Sequence, residues 1–428
     1  MSLLAGPPPP GSGPIRCTVP AAKSYVLRAT LLAALRGRGR ILREGPDGGD
    51  VRALVAGLRT LGAEIETTSE ALEVRRGIRR TPGDPIVLRV EDGGAPARFL
   101  AAAAALGERT VHLETGARLA RRPFGPLFEA LRTLGAEVSA PGNAPPAVIR
   151  GPLRGGGIEA ALGESSSQFL SALLLAAPAL GEPLEIVCSG PLRSPGYVDL
   201  TLGLLRAFGV RVRSAPGWWL VEPGFASKAD PPPAPADWSS AAPLLAAAAF
   251  LRRPVVVRGL RLDDGQPDAA FADHLRALGL DVRAAEDGVE ASGRPLQGGS
   301  FDVARCPDLA PTLAALGAVC PGGITLHGAP HLKAKESDRI ASAVALLRAA
   351  GISAEPRADG LRVAGDWASQ EPASAPFTAP ASSDHRLIQA ASLLALRRPA
   401  LIPDEAHVEK SFPGFFAVFP GAFTEVVA

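Results

Sequence analysis

The run Lys335-Glu336-Ser337-Asp338-Arg339 sets two cations four residues apart. On a helix that spacing puts both on one face, where like charges repel by about 0.2–0.5 kcal/mol. A phosphate held between them would turn the cost into a gain. Pairing with Glu336 or Asp338 on a solvated surface fits the same spacing, and spacing alone does not choose. Lys23, Ser24 and Arg28 repeat the layout, with Ser24 and Arg28 at i and i+4 of a segment otherwise apolar. A charge on an apolar helix is expensive unless it is paired. Arg122 precedes Pro123, which favours extended backbone. Arg386 opens another apolar segment, and Lys410 stands in Lys410-Ser411-Phe412-Pro413. Ser165-Ser166-Ser167-Gln168 supplies three hydroxyls and an amide at the start of an apolar run, where a helix N-cap needs one hydroxyl; Ser239-Ser240 reads as an ordinary cap. Helix N-termini carry unpaired N–H groups and a partial positive charge, so several of them gathered with these cations would hold anions.

The background sharpens the lysines. Only five occur (Lys23, Lys228, Lys333, Lys335, Lys410) against 40 arginines, and Asn143 is the single asparagine. A lysine that persists in an arginine-writing chain is a candidate for a place where a compact ammonium cannot be replaced by a planar guanidinium. Lys+Arg of 45 against Asp+Glu of 43 leaves no basic excess for a nucleic-acid backbone, so nucleic acid is not an expected partner. No G-x-x-x-x-G-K-[ST] loop is present. Apolar runs such as Leu170 to Leu180 are about half of the roughly 20 residues a membrane span requires. The N-terminus, with Pro7 to Pro10, lacks a basic region followed by an apolar one, so we expect a cytoplasmic protein, and a monomer. Cys17, Cys188, Cys306 and Cys320 lie far apart without ligand spacing, so they read as reduced core residues and not as a metal site.

The elements that must position these side chains recur. LRTLGAEI, LRTLGAEV, LRAFGVRV, LRALGLDV and LRAAGISA place Gly62, Gly135, Gly209, Gly279 and Gly351 at spacings of 70–74 residues, and a weaker sixth copy ends at Gly421. Six units of about 72 residues therefore fill the 428-residue chain. Each glycine sits where a helix C-cap needs a left-handed residue, and the alternating residues after it read as a strand. A second helix recurs in each unit, from Ser24, Gly94, Ser167, Ser240, Asp308 and His385, apolar nearly all round and so buried. Strands are expected at Thr110 to Leu113, Leu184 to Val187, Pro254 to Val257 and Ile324 to Leu326. The expected fold class is thus α/β (α+β). Three units per domain give two similar domains, 24–236 and 1–23 with 237–428, and the Pro-rich stretch Asp230 to Asp237 reads as their hinge.

Val19-Pro20-Ala21-Ala22-Lys23-Ser24, Arg122-Pro123, Ser166-Ser167-Gln168-Phe169-Leu170, Ser194 to Asp199 (SPGYVD), KESDR from Lys335, Asp384-His385-Arg386 and Lys410-Ser411-Phe412-Pro413 resemble the ordered motif series of the 5-enolpyruvylshikimate-3-phosphate synthase family. The resemblance implies two domains, each of three βαβαββ units around buried helices as an inside-out α/β barrel, closing on an interdomain cleft. It implies transfer of the enolpyruvyl group of phosphoenolpyruvate to the 5-hydroxyl of shikimate 3-phosphate, with release of phosphate. Lys23, Gly94, Arg122, Arg339, Arg386 and Lys410 match positions that hold phosphoenolpyruvate, with Gln168 close to both substrates. Ser24, Arg28, Ser166, Ser167, Ser194 and Lys335 match those that hold shikimate 3-phosphate, with Tyr197 and Asp308 beside them. Lys23, Asp308 and Glu336 match the groups assigned to proton transfer.

The chain departs from the family pattern at Ala21, Ala22, Asp92, Ala95 and His331, and Asp92 brings negative charge near an expected anion site. The sister reaction on UDP-N-acetylglucosamine is similar in fold and chemistry. That family characteristically presents a cysteine in the loop that here reads Thr115 to Pro123, and an asparagine where this chain has Ser24; neither is present. An inactive binding paralogue is the other rival.

Overall fold

Alanine and leucine dominate the second helix of every unit, and such helices have no face that water would stabilise. In the computed structural model, which describes residues 2–8, 11, 13–164, 166–371 and 373–426, they become the buried helices Lys23–Arg36, Gly94–Ala104, Ser167–Ala176, Trp238–Leu251, Ala310–Gly317 and His385–Ala395. Of the charged side chains they carry, Arg28, Arg98 and Arg386 are at most 3% exposed, while Lys23 and Arg36 at the two ends of the first are half-buried.

Gly62, Gly135, Gly209, Gly279 and Gly351 all adopt the expected left-handed conformation, with φ between 74° and 98°. The phrase also carries an arginine clip. Arg59 donates to the carbonyl of Ile65, Arg132 to Val138, Arg276 to Val282 and Arg348 to Ala354, six residues on in each case, at 2.5–3.1 Å. A planar guanidinium thereby ties the outer helix to the strand that follows it, which accounts for part of the preference for arginine over lysine. The weak sixth copy is a correction: Gly421 is not left-handed, and only the four-residue helix Phe415–Val418 precedes it.

Three sheets share one order. In the first, Ile86–Val90 runs parallel to Val111–Thr115, which pairs antiparallel with Ala147–Arg150, itself antiparallel to Glu137–Ser139. The same parallel–antiparallel–antiparallel pattern joins Gly156–Ala160, Leu184–Cys188, Trp218–Val221 and Val212–Ala215, and again Gly299–Asp302, Ile324–His327, Gly360–Val363 and Ala354–Arg357. Two further sheets recruit the N-terminus. Ile15–Cys17 pairs in parallel with Val255–Arg258, and Ser2–Gly6 lies between Ala400–Pro403 and Ala422–Val426. Because Ile15–Cys17 is used there, the sheet after Lys23–Arg36 has three strands, Gly39–Leu42, Ala71–Arg76 and Glu64–Thr67. Its open side is met by the returning chain, where Ala234 N–H donates to Leu42 O (2.8 Å) and Arg40 N–H to Asp230 Oδ1 (2.9 Å).

The chain forms two compact units, Met1–Ala22 with Pro235–Ala428, and Lys23–Ala234. The four cysteines are buried and free, and burial pushes the thiols of Cys17 and Cys320 up to about 11 and 12. Among the described residues no helix is long and apolar enough to cross a membrane, and no group of three or more His, Cys, Asp or Glu could hold a metal ion.

Candidate active site

In the Lys23–Ala234 unit the expected residues gather at helix starts. Lys23 opens its helix with Nζ 3.0 Å from Asp50 Oδ2, in the first turn of Gly49–Thr60. A Cβ at Gly93 would lie 3.0 Å from Asp50 Oδ1, and one at Gly94 would lie 2.8 Å from Arg122 Nη1 and 3.0 Å from Arg98 Nη1. The bare backbone of this helix start therefore lets two guanidiniums approach it closely. Arg122 is extended, as its place before Pro123 requires (φ −89°, ψ 148°). Arg98 donates to Gln168 Oε1 and to Pro123 O (3.1 Å), with its guanidinium carbon 4.9 Å from the Phe124 ring and 5.0 Å from Phe169.

Arg28 is held entirely by neutral acceptors. Its Nε donates to Thr201 Oγ1 (2.8 Å), Nη1 to Ser24 O (2.8 Å), and Nη2 to Tyr197 O (3.3 Å) and Ser171 Oγ (3.4 Å). Burial pulls it down from the usual arginine range to about 10. A buried cation whose hydrogen bonds are satisfied but whose charge is not is the arrangement an anion stabilises. Ser166 Oγ accepts from Gln168 N–H and caps Ser167–Ala176; Ser165 lies outside the described residues. Ser194 is buried and left-handed (φ 51°), a conformation that costs a non-glycine residue free energy. Asp92 Oδ2 lies 3.7 Å from Arg118, so part of its charge is met by a neighbouring cation.

In the other unit the centre is Arg339. Its Nε donates to Asp384 Oδ2 (2.8 Å), Nη1 to Asp308 Oδ1 (2.7 Å) and Nη2 to Glu336 Oε2 (3.2 Å). Burial alone would lower this arginine, but Asp384, Asp308 and Glu336 together hold it well above its usual range. Lys410 Nζ stands 3.6 Å from Glu336 Oε1. Arg386, like Arg28, is buried against neutral acceptors: Nη1 donates to Ser239 O (2.5 Å) and Gln389 Oε1 (3.1 Å), and Nη2 to Ser239 Oγ.

Three local expectations are corrected. Lys335 and Arg339 do not share a helix face, because Lys335 is extended after the short helix Pro330–Ala334 and the next helix begins only at Arg339, capped by Asp338. The helix expected from Asp308 begins only at Ala310. Asp308 lies in a 3₁₀ turn, Pro307–Leu309, leading into Ala310–Gly317, and its carboxylate is turned to Arg339. Ser239-Ser240 is not the cap of its helix: Asp237 Oδ1 accepts from both backbone N–H groups and from Ser239 Oγ (2.6 Å). Sequence reasoning missed Asp50, Arg98, Thr201 and the clamping role of Asp384. Arg98 was within reach, since it is a lone charge in an apolar helix, the same signal that marks Arg28.

A family model of EPSP synthase (3-phosphoshikimate 1-carboxyvinyltransferase) matches residues 11–419. A 3-phosphoshikimate 1-carboxyvinyltransferase of Methanothrix thermoacetophila is 37% identical over 404 residues, 93% of each chain. One from Ralstonia nicotianae is 35% identical, covering 98% of this chain and 99% of its own. The solved EPSP synthase of Acinetobacter baumannii superposes with a TM-score of 0.78 at 23% identity, over 99% of this chain and 100% of that one, so the two share a fold. With a match that spans nearly its whole length, the chain belongs to the EPSP synthase (3-phosphoshikimate 1-carboxyvinyltransferase) family, transferases of the shikimate pathway.

Proposed function

We propose that the two units are the two domains of the transferase, divided close to 24–236 and 1–23 with 237–428, and that they close on shikimate 3-phosphate and phosphoenolpyruvate. The observation that carries this reading is the pair of buried guanidiniums, Arg28 and Arg386, each held among the described residues by neutral acceptors and so short of a counter-anion, with Arg386 Nε buried without a hydrogen-bond acceptor. Arg28, with Ser24, Ser166, Ser167, Ser194, Tyr197 and Lys335, takes shikimate 3-phosphate. Arg386, with Lys23, Gly94, Arg122, Arg339 and Lys410, takes phosphoenolpyruvate, and Gln168 borders both. The chain acts as a cytoplasmic monomer without a cofactor.

Two multiply charged anions must be brought together, and a charge pair at about 4 Å is worth roughly 1 kcal/mol in water but roughly 4 kcal/mol at an effective dielectric of 20. Closure that expels water is what lets these cations act. In the addition step the 5-hydroxyl oxygen bonds to the phosphate-bearing enol carbon while its proton goes to a base and the methylene takes a proton from an acid. In the elimination step the methyl group returns a proton and the carbon–oxygen bond to phosphate breaks. Lys23, Asp308 and Glu336 supply these transfers. Arg339 holds both carboxylates within hydrogen-bonding distance, so they are oriented before substrate arrives.

Asp308→Asn tests the assignment. Asparagine still accepts from Arg339 Nη1, so shikimate 3-phosphate affinity is expected to fall only modestly while turnover falls on the order of 10²–10⁴-fold, the span for losing a general acid or base. Near wild-type turnover would remove Asp308 from the chemistry.

A further inference from the structure

Gln266 lies far in sequence from every motif residue, is 6% exposed, and uses its whole amide. Its Nε2 donates to Ala236 O (2.7 Å) and Asp264 Oδ2 (2.8 Å), and its Oε1 accepts from Trp238 N–H (3.1 Å). Its own N–H donates to Asp264 Oδ1 (3.0 Å), so Asp264 buttresses the amide from behind at both ends. The amide thus pins the backbone on either side of Asp237, directly after the chain re-enters this unit at Pro235. The segment is tied on its other edge as well, where Ala22 N–H donates to Pro235 O (2.7 Å) and Asp237 N–H to Pro20 O (3.0 Å).

What is pinned there leads directly to Arg386. Asp237 Oδ1 accepts from Ser239 Oγ and from the Ser239 and Ser240 N–H groups, which fixes the first turn of Trp238–Leu251. Ser239 in turn accepts twice from the Arg386 guanidinium, through its carbonyl and its hydroxyl. We propose that Gln266 is a positioning residue for Arg386: by holding Ala236 and Trp238 it sets the Asp237–Ser239 turn, and that turn aims the guanidinium. The inference rests on the reading of Arg386 as a phosphoenolpyruvate-binding group. Removing a buried amide leaves its partners unpaired, and a guanidinium fixed by two of its partners loses its aim when they shift.

The test is steady-state kinetics of the full-length protein with Gln266→Leu, Gln266→Glu, Arg386→Lys and the double variant Gln266→Leu/Arg386→Lys. The proposal expects Gln266→Leu to raise KM for phosphoenolpyruvate roughly tenfold while shikimate 3-phosphate affinity stays within about twofold. It expects the double variant to be little worse than Arg386→Lys alone, because both changes disable one element. Gln266→Glu keeps the acceptor for Trp238 N–H but loses the donors to Ala236 O and Asp264 Oδ2. An intermediate rise is expected of it, and it serves as the reading should the leucine variant not fold. An unchanged KM for phosphoenolpyruvate in the Gln266 variants, with a raised one in Arg386→Lys, overturns the positioning role and leaves Arg386 in place. An unchanged KM in Arg386→Lys itself overturns the phosphoenolpyruvate assignment and the proposal with it.

Discussion

Replacing Arg339 by glutamine removes the one cation that three carboxylates share. The guanidinium side chain is 1% exposed, Asp384 is 0%, and Asp308 and Glu336 are 24% and 19% exposed. Asp384 would keep two hydrogen bonds, from Ser337 Oγ (3.1 Å) and Arg386 N–H (3.0 Å), and the His385 ring 4.0 Å away, but would lose the guanidinium that neutralises it. Breaking a buried pair from one side leaves an uncompensated charge and costs about 3–5 kcal/mol, whereas the half-open contacts to Asp308 and Glu336 contribute less. The unit containing Pro235–Ala428 is therefore expected to lose about 3–5 kcal/mol at pH 7.5. Urea unfolding followed by tryptophan emission reads this unit through Trp238 and Trp367, both nearly fully buried. A loss below about 1 kcal/mol would refute the argument that Arg339 neutralises a buried anionic cluster.

Other outcomes follow from the same geometry. Lys23→Arg keeps the charge, but the lysine sits 3.0 Å from Asp50, whose other oxygen lies 3.0 Å from where a Cβ at Gly93 would be, and a guanidinium does not readily give up a proton; turnover should fall at least a hundredfold, on the order expected for a lost acid or base, and wild-type turnover would make Lys23 one cation among several. Burial raises the Asp264 carboxyl to about 6 from 3.8, so the folded protein holds a proton there that the unfolded chain releases. Its contribution to stability must decline as pH rises from about 4 to about 6, and Asp264→Asn should flatten that part of the stability–pH curve, whereas an unchanged curve would contradict the assignment. Domain closure predicts a smaller radius of gyration by X-ray scattering with shikimate 3-phosphate plus an unreactive phosphoenolpyruvate analogue than without ligands, and an unchanged radius would remove closure from the mechanism.

Much of the architecture was legible because its signals are local. Five glycines at helix C-caps and six alanine-rich helices follow from residue type and spacing, and all five glycines are left-handed. Strand partnership was not legible. Nothing in Ile15–Cys17 says that it pairs with Val255–Arg258, more than two hundred residues away, instead of with the strand after its own helix. A cap was misread for a related reason. Asp237 outcompetes Ser239 and Ser240 because one carboxylate oxygen accepts from two N–H groups at once, and that choice is made by geometry the sequence does not display. The candidate site was legible as motifs but not as contacts: spacing left Arg339 open between a phosphate and Glu336 or Asp338, and the structure pairs it with Glu336 and also with Asp308 and Asp384, which are distant in sequence.

The most direct measurement is inorganic phosphate release by the purified protein given shikimate 3-phosphate and phosphoenolpyruvate, with each substrate omitted in turn. The account predicts phosphate in one-to-one amount with the enolpyruvyl product when both are present, and none when either is missing. Phosphate released from phosphoenolpyruvate alone, or no release with both substrates, would contradict it.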